Sequence, residues 1–174
     1  GTPVVDSIRI ENNNFGDGTT TTGSAIIFGS PDSCTYTNVN LSHNHYYLVN
    51  YGIKLGSGSL LGSGYVSISD EHFWHGRGDS IEINTHNLVF PVSVIGNTID
   101  NSSSTNPISP SNNNGYCIGM NGGQDVTIVG NIIKGCNLEA MSIQGTSVNV
   151  LVASNEITQS VDAECFRFPG TQAG

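Results

Sequence analysis

Paired carboxylates are the first chemistry this chain offers. Asp79 precedes and Glu82 lies within a short apolar strand in Gly78-Asp-Ser-Ile-Glu-Ile-Asn84, and Glu139 and Glu164 hold the place of Asp79 before two comparable strands. Glycoside hydrolysis needs two carboxyl groups, one to protonate the leaving oxygen and one to attack or to activate water. Their separation is about 5–5.5 Å for retention and roughly 6.5–9.5 Å for inversion. Close like charges also raise one carboxyl pKa and leave a proton donor near neutral pH. Upstream, Asp70-Glu-His-Phe-Trp-His-Gly-Arg-Gly-Asp79 gathers the only Trp and two of the five His. Sugar rings stack on aromatic faces. Trp74 and Tyr116 are therefore candidate floor residues, with His75, Arg77 and Arg167 as polar contacts.

Each feature has a plainer alternative. The acids cap turns and pair with Arg167 or Arg77, or line a cation site, since acidic columns also suit Ca²⁺. Trp74 packs, and His72 and His75 satisfy turns; no HxH or HExxH spacing supports zinc, so neither metal nor cofactor is expected. A lyase would instead need a base beside a Ca²⁺-bound uronate, and Lys54 and Arg167 are the candidates among only five basic residues. Arg77-Gly-Asp79 matches an adhesion tripeptide, and Asn40-Leu-Ser42 and Asn101-Ser-Ser103 match glycosylation sequons. Matches this short arise by chance in so Gly- and Asn-rich a chain. Tyr46-Tyr47, with His43 and His45, reads as a strand edge with one aromatic buried. Cys34, Cys117, Cys136 and Cys165 show no CxxC or Cys/His ligand spacing and read as small buried residues, with a disulfide the lesser alternative.

The elements that position these residues follow from composition and periodicity. Gly, Ser, Asn and Thr make up 77 of 174 residues while only 11% are charged, which excludes a mainly helical protein because helical solvent faces need Glu, Lys, Ala and Leu. The apolar 36% falls in short alternating, β-branched runs, which excludes disorder. No stretch approaches the roughly 18 apolar residues of a membrane span, so membrane insertion is not expected. A net charge of −9 argues against a nucleic-acid partner or an anionic membrane surface. A neutral or modified glycan is easier to accommodate.

Self-similarity is the strongest signal. Val92-Ser-Val-Ile-Gly-Asn97-Thr-Ile99, Val126-Thr-Ile-Val-Gly-Asn131-Ile-Ile133 and Val150-Leu-Val-Ala-Ser-Asn155-Glu-Ile157 share one frame, which also fits Ile8…Asn13…Phe15, Val39…Asn44…Tyr46 and Val66…Glu71…Phe73. The starts lie 31, 27, 26, 34 and 24 residues apart, and the longest interval holds a Ser/Asn/Pro-rich stretch, residues 101–114, that reads as a protruding loop. A second strand follows each frame, as in Ile53-Lys-Leu55, Ile81-Glu-Ile83 and Met141-Ser-Ile143. Units of this size cannot bury their apolar face alone; stacked in parallel at about 4.8 Å per layer, they can.

The expected fold is therefore all-β, a parallel β-helix of about six rungs in a single domain over 1–174. Asn at the repeated turn bonds the equivalent Asn of the next layer while its own backbone turns left-handed, and Glu71 is the exception in that ladder. Alternation places Lys54, Glu82, Gly119, Ser142 and Arg167 in one outward column forming a solvent face. Tyr51, Asp79, Tyr116, Glu139 and Glu164 form a second column, at the turn, which must swing its acids outward because unpaired carboxylates inside cost several kcal/mol. Glu139 and Glu164 are then about 4.8 Å apart, and Asp79 and Glu139 about 9.6 Å.

The VxIxGNxI copies resemble the right-handed parallel β-helices of the pectate-lyase superfamily. The run Gly78-Asp-Ser-Ile-Glu-Ile-Asn84, followed by Gly115-Tyr-Cys-Ile-Gly-Met120, resembles the GD-x-IE-x-N … GIGIG pattern of bacteriophage tailspike proteins. The resemblance implies a right-handed coil in a homotrimeric, virion-borne or otherwise extracellular protein that binds, and often cleaves, bacterial surface polysaccharide. This chain then reads as a fragment or short form of such a spike. A non-catalytic adhesin or structural shaft and a Ca²⁺-dependent lyase or epimerase are the alternatives.

Overall fold

A computed structural model describes residues 4–16, 24–28, 35–56, 64–76, 78–84, 89–101, 115–136, 138–158 and 165–168. The 101–114 stretch, apart from Asn101, lies outside them, as do Arg77, Glu164 and Cys34. The fold is all-β, a parallel β-solenoid of about four turns. Frame counting predicts six. All six frames form strands, but those at the ends have a neighbour on one side only. Ile10 and Phe15 at one end and Val150, Val152 and Ile157 at the other are accordingly half-buried, whereas the matching residues between them are sealed.

Each frame supplies a strand to the first face, as in Val39–Ser42 and Val66–Ser69, and after the Asn turn a strand to a second face. That second face is a six-stranded sheet running from Asn14–Gly16 through His45–Tyr47, His72–Trp74, Thr98–Asp100 and Ile132–Lys134 to Glu156–Thr158. A third face holds Ser24–Phe28, Tyr51–Leu55 and Ile81–Ile83. Two long strands, Ile118–Val129 and Met141–Ala153, carry the third face around into the first, so both belong to one sheet. Their register shifts between Asn121 and Gly123, beside Gly122 with φ 78°.

Parallel register turns repeated residue types into columns. Val39, Val66, Val92 and Val126 stack on the first face, and Ile53, Ile81, Ile118 and Met141 on the third, all inward and buried. Each such side chain contributes about 1.5–3 kcal/mol by leaving water. Phe15, Tyr46 and Phe73 stack face to face at 5.2 and 4.4 Å between centroids. Tyr46 is the buried aromatic and Tyr47 the exposed one, as alternation predicts.

The Asn ladder runs through the predicted residues. Asn131 Oδ1 accepts both the backbone N–H and the Nδ2 of Asn97, each at 2.9 Å, and Asn155 Oδ1 serves Asn131 in the same way at 2.9 and 2.8 Å. Each of these amides also donates to a carbonyl of the preceding coil, Asn97 to Ile68, Asn131 to Val94 and Asn155 to Ile128. Glu71 fits by offering both carboxyl oxygens to Asn44, at 2.9 and 3.0 Å. The left-handed residue is not the ladder Asn but the one before it. Asn12, His43, Asp70, Gly96, Gly130 and Ser154 have φ between 53° and 69°. The corner is turned there, which leaves the Asn backbone free to enter the next strand.

The cysteines also depart from expectation. Cys117 and Cys136 are buried as predicted, but bonded to each other, with 5.5 Å between Cα atoms, and Cys165 is exposed and free. Their 19-residue separation spans the passage from one coil to the next, and only the closed coil brings them together.

Candidate functional site

The outward column of the third face forms as predicted. Ile27, Lys54, Glu82, Gly119, Ser142 and Arg167 are successive register partners. It is not an open solvent face, however. Ser142 is fully buried, the Glu82 side chain is 14% exposed, and Lys54 pairs with Glu82 at 2.8 Å. Lys54 also lies over the Tyr51 ring, 4.8 Å from its centroid, and Asn84 donates to Glu82 Oε1 at 2.5 Å. The Tyr51 hydroxyl titrates above its ordinary value because of burial first, then the Asp79 and Glu82 charges.

The turn column also forms. Gly52 N–H donates to the Asp79 carbonyl and Ser80 N–H to that of Tyr116, which puts Tyr51, Asp79 and Tyr116 on consecutive coils. Asp79 swings outward as expected. Its Oδ1 accepts the Tyr116 N–H at 2.9 Å, while Oδ2 occupies the space a Cβ would need on outward-facing Gly119. Any side chain at 119 would evict it. Glu139 likewise reaches the outward residue of the following coil, accepting from Arg167 Nη1 at 3.0 Å.

The expectation that outward means solvated is what fails. Asp79 is 6% exposed and Glu139 only 2%. Outward carboxyls here lie under neighbouring side chains, because a column one strand spacing deep leaves little room for water between layers. Burial, reinforced by the Glu82 charge, raises Asp79 to about 8 against the opposing Tyr116 hydrogen bond and Lys54 charge. Asp79 therefore carries a proton at neutral pH, on the same coil as Glu82 and three residues before it. The proposed Glu139–Glu164 pair has one member outside the described residues, whereas Glu139 with Arg167 matches the plainer, ion-paired alternative. Tyr116 lies at this site, its hydroxyl accepting from Gln144 Nε2 at 3.2 Å.

Trp74 belongs to a different element, the strand His72–Trp74 of the six-stranded sheet, whereas Tyr116 precedes Ile118–Val129. Trp74 lies on the outer side of that sheet, 49% exposed, with Tyr47, also 49% exposed, as its register partner. The His72 and His75 rings stack beside it at 5.6 and 5.8 Å, and His45 faces His72 at 5.4 Å. Tyr47 and His45 escape a motif search because nothing in their own segment pairs them with Trp74; only the register does. Among the described residues no three His, Cys, Asp or Glu converge as a metal-binding group.

No family model, curated protein or solved structure matches the chain. Its class is therefore set by its fold, a parallel β-solenoid consistent with a β-helix.

Proposed function

We propose that the protein binds bacterial surface polysaccharide along the aromatic strip of its six-stranded sheet, as the shaft of a tailspike-like, homotrimeric virion or extracellular protein. The observation that carries this reading is the exposed, in-register pair Tyr47 and Trp74 with imidazole rings stacked alongside. Exposed aromatic faces aligned across neighbouring strands give a glycan a stacking surface at two successive layers, about 4.8 Å apart. The Cys117–Cys136 disulfide suits an oxidising, extracellular setting. The acidic chain suits a neutral or modified glycan better than a nucleic acid. Binding of capsule, O-antigen or exopolysaccharide, measured by calorimetry, is expected to weaken by about two- to tenfold in Trp74→Ala, since such a contact is worth about 0.5–1.5 kcal/mol. Thermal stability should hold, because the ring is exposed. Equal binding by the variant, or none by the wild type across a polysaccharide panel, would overturn the reading.

A second reading adds hydrolysis, and the protonated Asp79 beside Glu82 is what favours it. Asp79 would donate its proton to the leaving oxygen while Glu82, held by Lys54, attacks or activates water. Reducing ends should appear when wild type is mixed with its polysaccharide, and Asp79→Asn and Glu82→Gln should each abolish that release. Release that survives both substitutions places the chemistry elsewhere.

A further inference from the structure

The register of the six-stranded sheet joins two imidazoles that are 27 residues apart in the chain. His45 and His72 are direct partners on neighbouring parallel strands, each two residues before an outward aromatic, so both point to the outer side of the sheet. Their ring centroids are 5.4 Å apart with 55° between planes. An imidazole nitrogen binds a first-row divalent ion at about 2.0–2.1 Å, which sets the ion roughly 3.2 Å from the ring centre. Two rings sharing one ion at square-planar to tetrahedral angles then have centroids about 4.5–5.2 Å apart. The observed spacing exceeds that range by a few tenths of an ångström, which side-chain rotation covers without moving a hydrogen-bonded backbone.

We propose that His45 and His72 form a two-imidazole site for a borderline divalent transition-metal ion: copper(II), nickel(II) or zinc(II). The donor set selects these ions, since imidazole suits them whereas Ca²⁺ and Mg²⁺ require oxygen ligands. Asn14 and Thr98 flank the pair as the next register partners and place side-chain oxygens in the same column. Water or an external ligand completes the shell on the solvent side. No sequence rule for zinc spacing finds such a site, because its ligands come from successive coils rather than from one helix or one loop. The site stands independently of glycan binding.

Trp74 is the only Trp in the chain, and its ring stacks on His72 at 5.6 Å and 12°. Copper(II) or nickel(II) seated on His72 should therefore quench its fluorescence. Titration of the full chain with either ion at neutral pH, in a non-coordinating buffer, is expected to give saturable quenching near one equivalent. Zinc should compete for the site and chelator should reverse it. His45→Ala and His72→Ala should each weaken binding by roughly tenfold or more, while His43→Asn, at a left-handed turn that Asn tolerates, should leave it unchanged. Quenching that never saturates, or an unchanged curve in the double His45→Ala, His72→Ala variant, would overturn the proposal. So would a zinc titration of wild type by NMR in which the imidazole signals of His45 and His72 stay still.

Discussion

Replacing Asn131 with alanine is expected to destabilise the protein by about 4 kcal/mol or more. The residue sits midway along the ladder, fully buried, and makes four hydrogen bonds through one side chain. Its Oδ1 accepts from the backbone and the amide of Asn97, and its Nδ2 donates to the Val94 carbonyl and to Asn155 Oδ1. Truncation leaves the Asn97 N–H and amide without an acceptor and the Val94 carbonyl without this donor, in a corner closed to water. Each stranded buried group costs about 1–3 kcal/mol, more than the net worth of the bond it lost. Asn155→Ala is the internal control. Its coil is the last described, half-exposed, and water can satisfy what is left behind, so about half the loss is expected there. Urea denaturation of the two variants checks the pair. Equal midpoints for Asn131→Ala and wild type would mean that the ladder is incidental to the fold.

That ladder was legible in the sequence because Asn is an unusual residue to find at a fixed offset inside apolar runs. The columns were legible for the same reason: Val39, Val66, Val92 and Val126 repeat one residue type where only stacking gives it a purpose. Three things were not. The left-handed turn falls on Asn12, His43, Asp70, Gly96, Gly130 and Ser154, types that mostly favour that conformation, but the ladder Asn beside most of them is an equally good candidate and hides it. The disulfide joins residues without a motif, and only corner geometry pairs them. The burial of Asp79 and Glu139 was hidden because alternation tells which side of a sheet a residue faces, not what lies over it. His45 and His72 show the same limit from the other direction, since a site built across coils leaves no local spacing to read.

Raising the pH from about 5 to 9 is expected to weaken the fold, the reverse of the usual behaviour of carboxylates. Two buried acids set the sign. Burial lifts Glu71 to about 7 from 4.5 and Asp79 to about 8 from 3.8. A raised acid binds its proton more tightly when folded, so its contribution is fully present below its unfolded value. That contribution is lost as the pH climbs through 7 for Glu71 and 8 for Asp79. At about 1.4 kcal/mol per unit, each site loses on the order of 3 kcal/mol or more across the window.

Glu71 is the more instructive of the two. Its carboxyl receives both donors of Asn44 and lies near the Tyr46 hydroxyl, while the Asp70 charge opposes its ionisation. Toward the next coil the Glu71 N–H donates to Asn97 Oδ1 at 2.9 Å, and the carboxyl has no amide to give that oxygen the second donor that Asn131 and Asn155 receive. Above pH 7 the ladder thus carries an uncompensated charge at a step that is one hydrogen bond short. Glu71→Asn restores the pattern of the other positions and removes the charge. It is expected to lessen the slope below pH 7, leaving there only the share of Asp79, and to melt above wild type at pH 9. Asp79→Asn should lessen the slope below pH 7 and abolish its continuation from 7 to 8. Thermal melts of wild type and both variants across this range, with ¹³C detection of the two carboxyls, separate the contributions. A wild-type stability that stays level or rises from pH 5 to 9, or a Glu71 carboxyl that titrates below 5, would show that the spine of the solenoid holds its charge without cost.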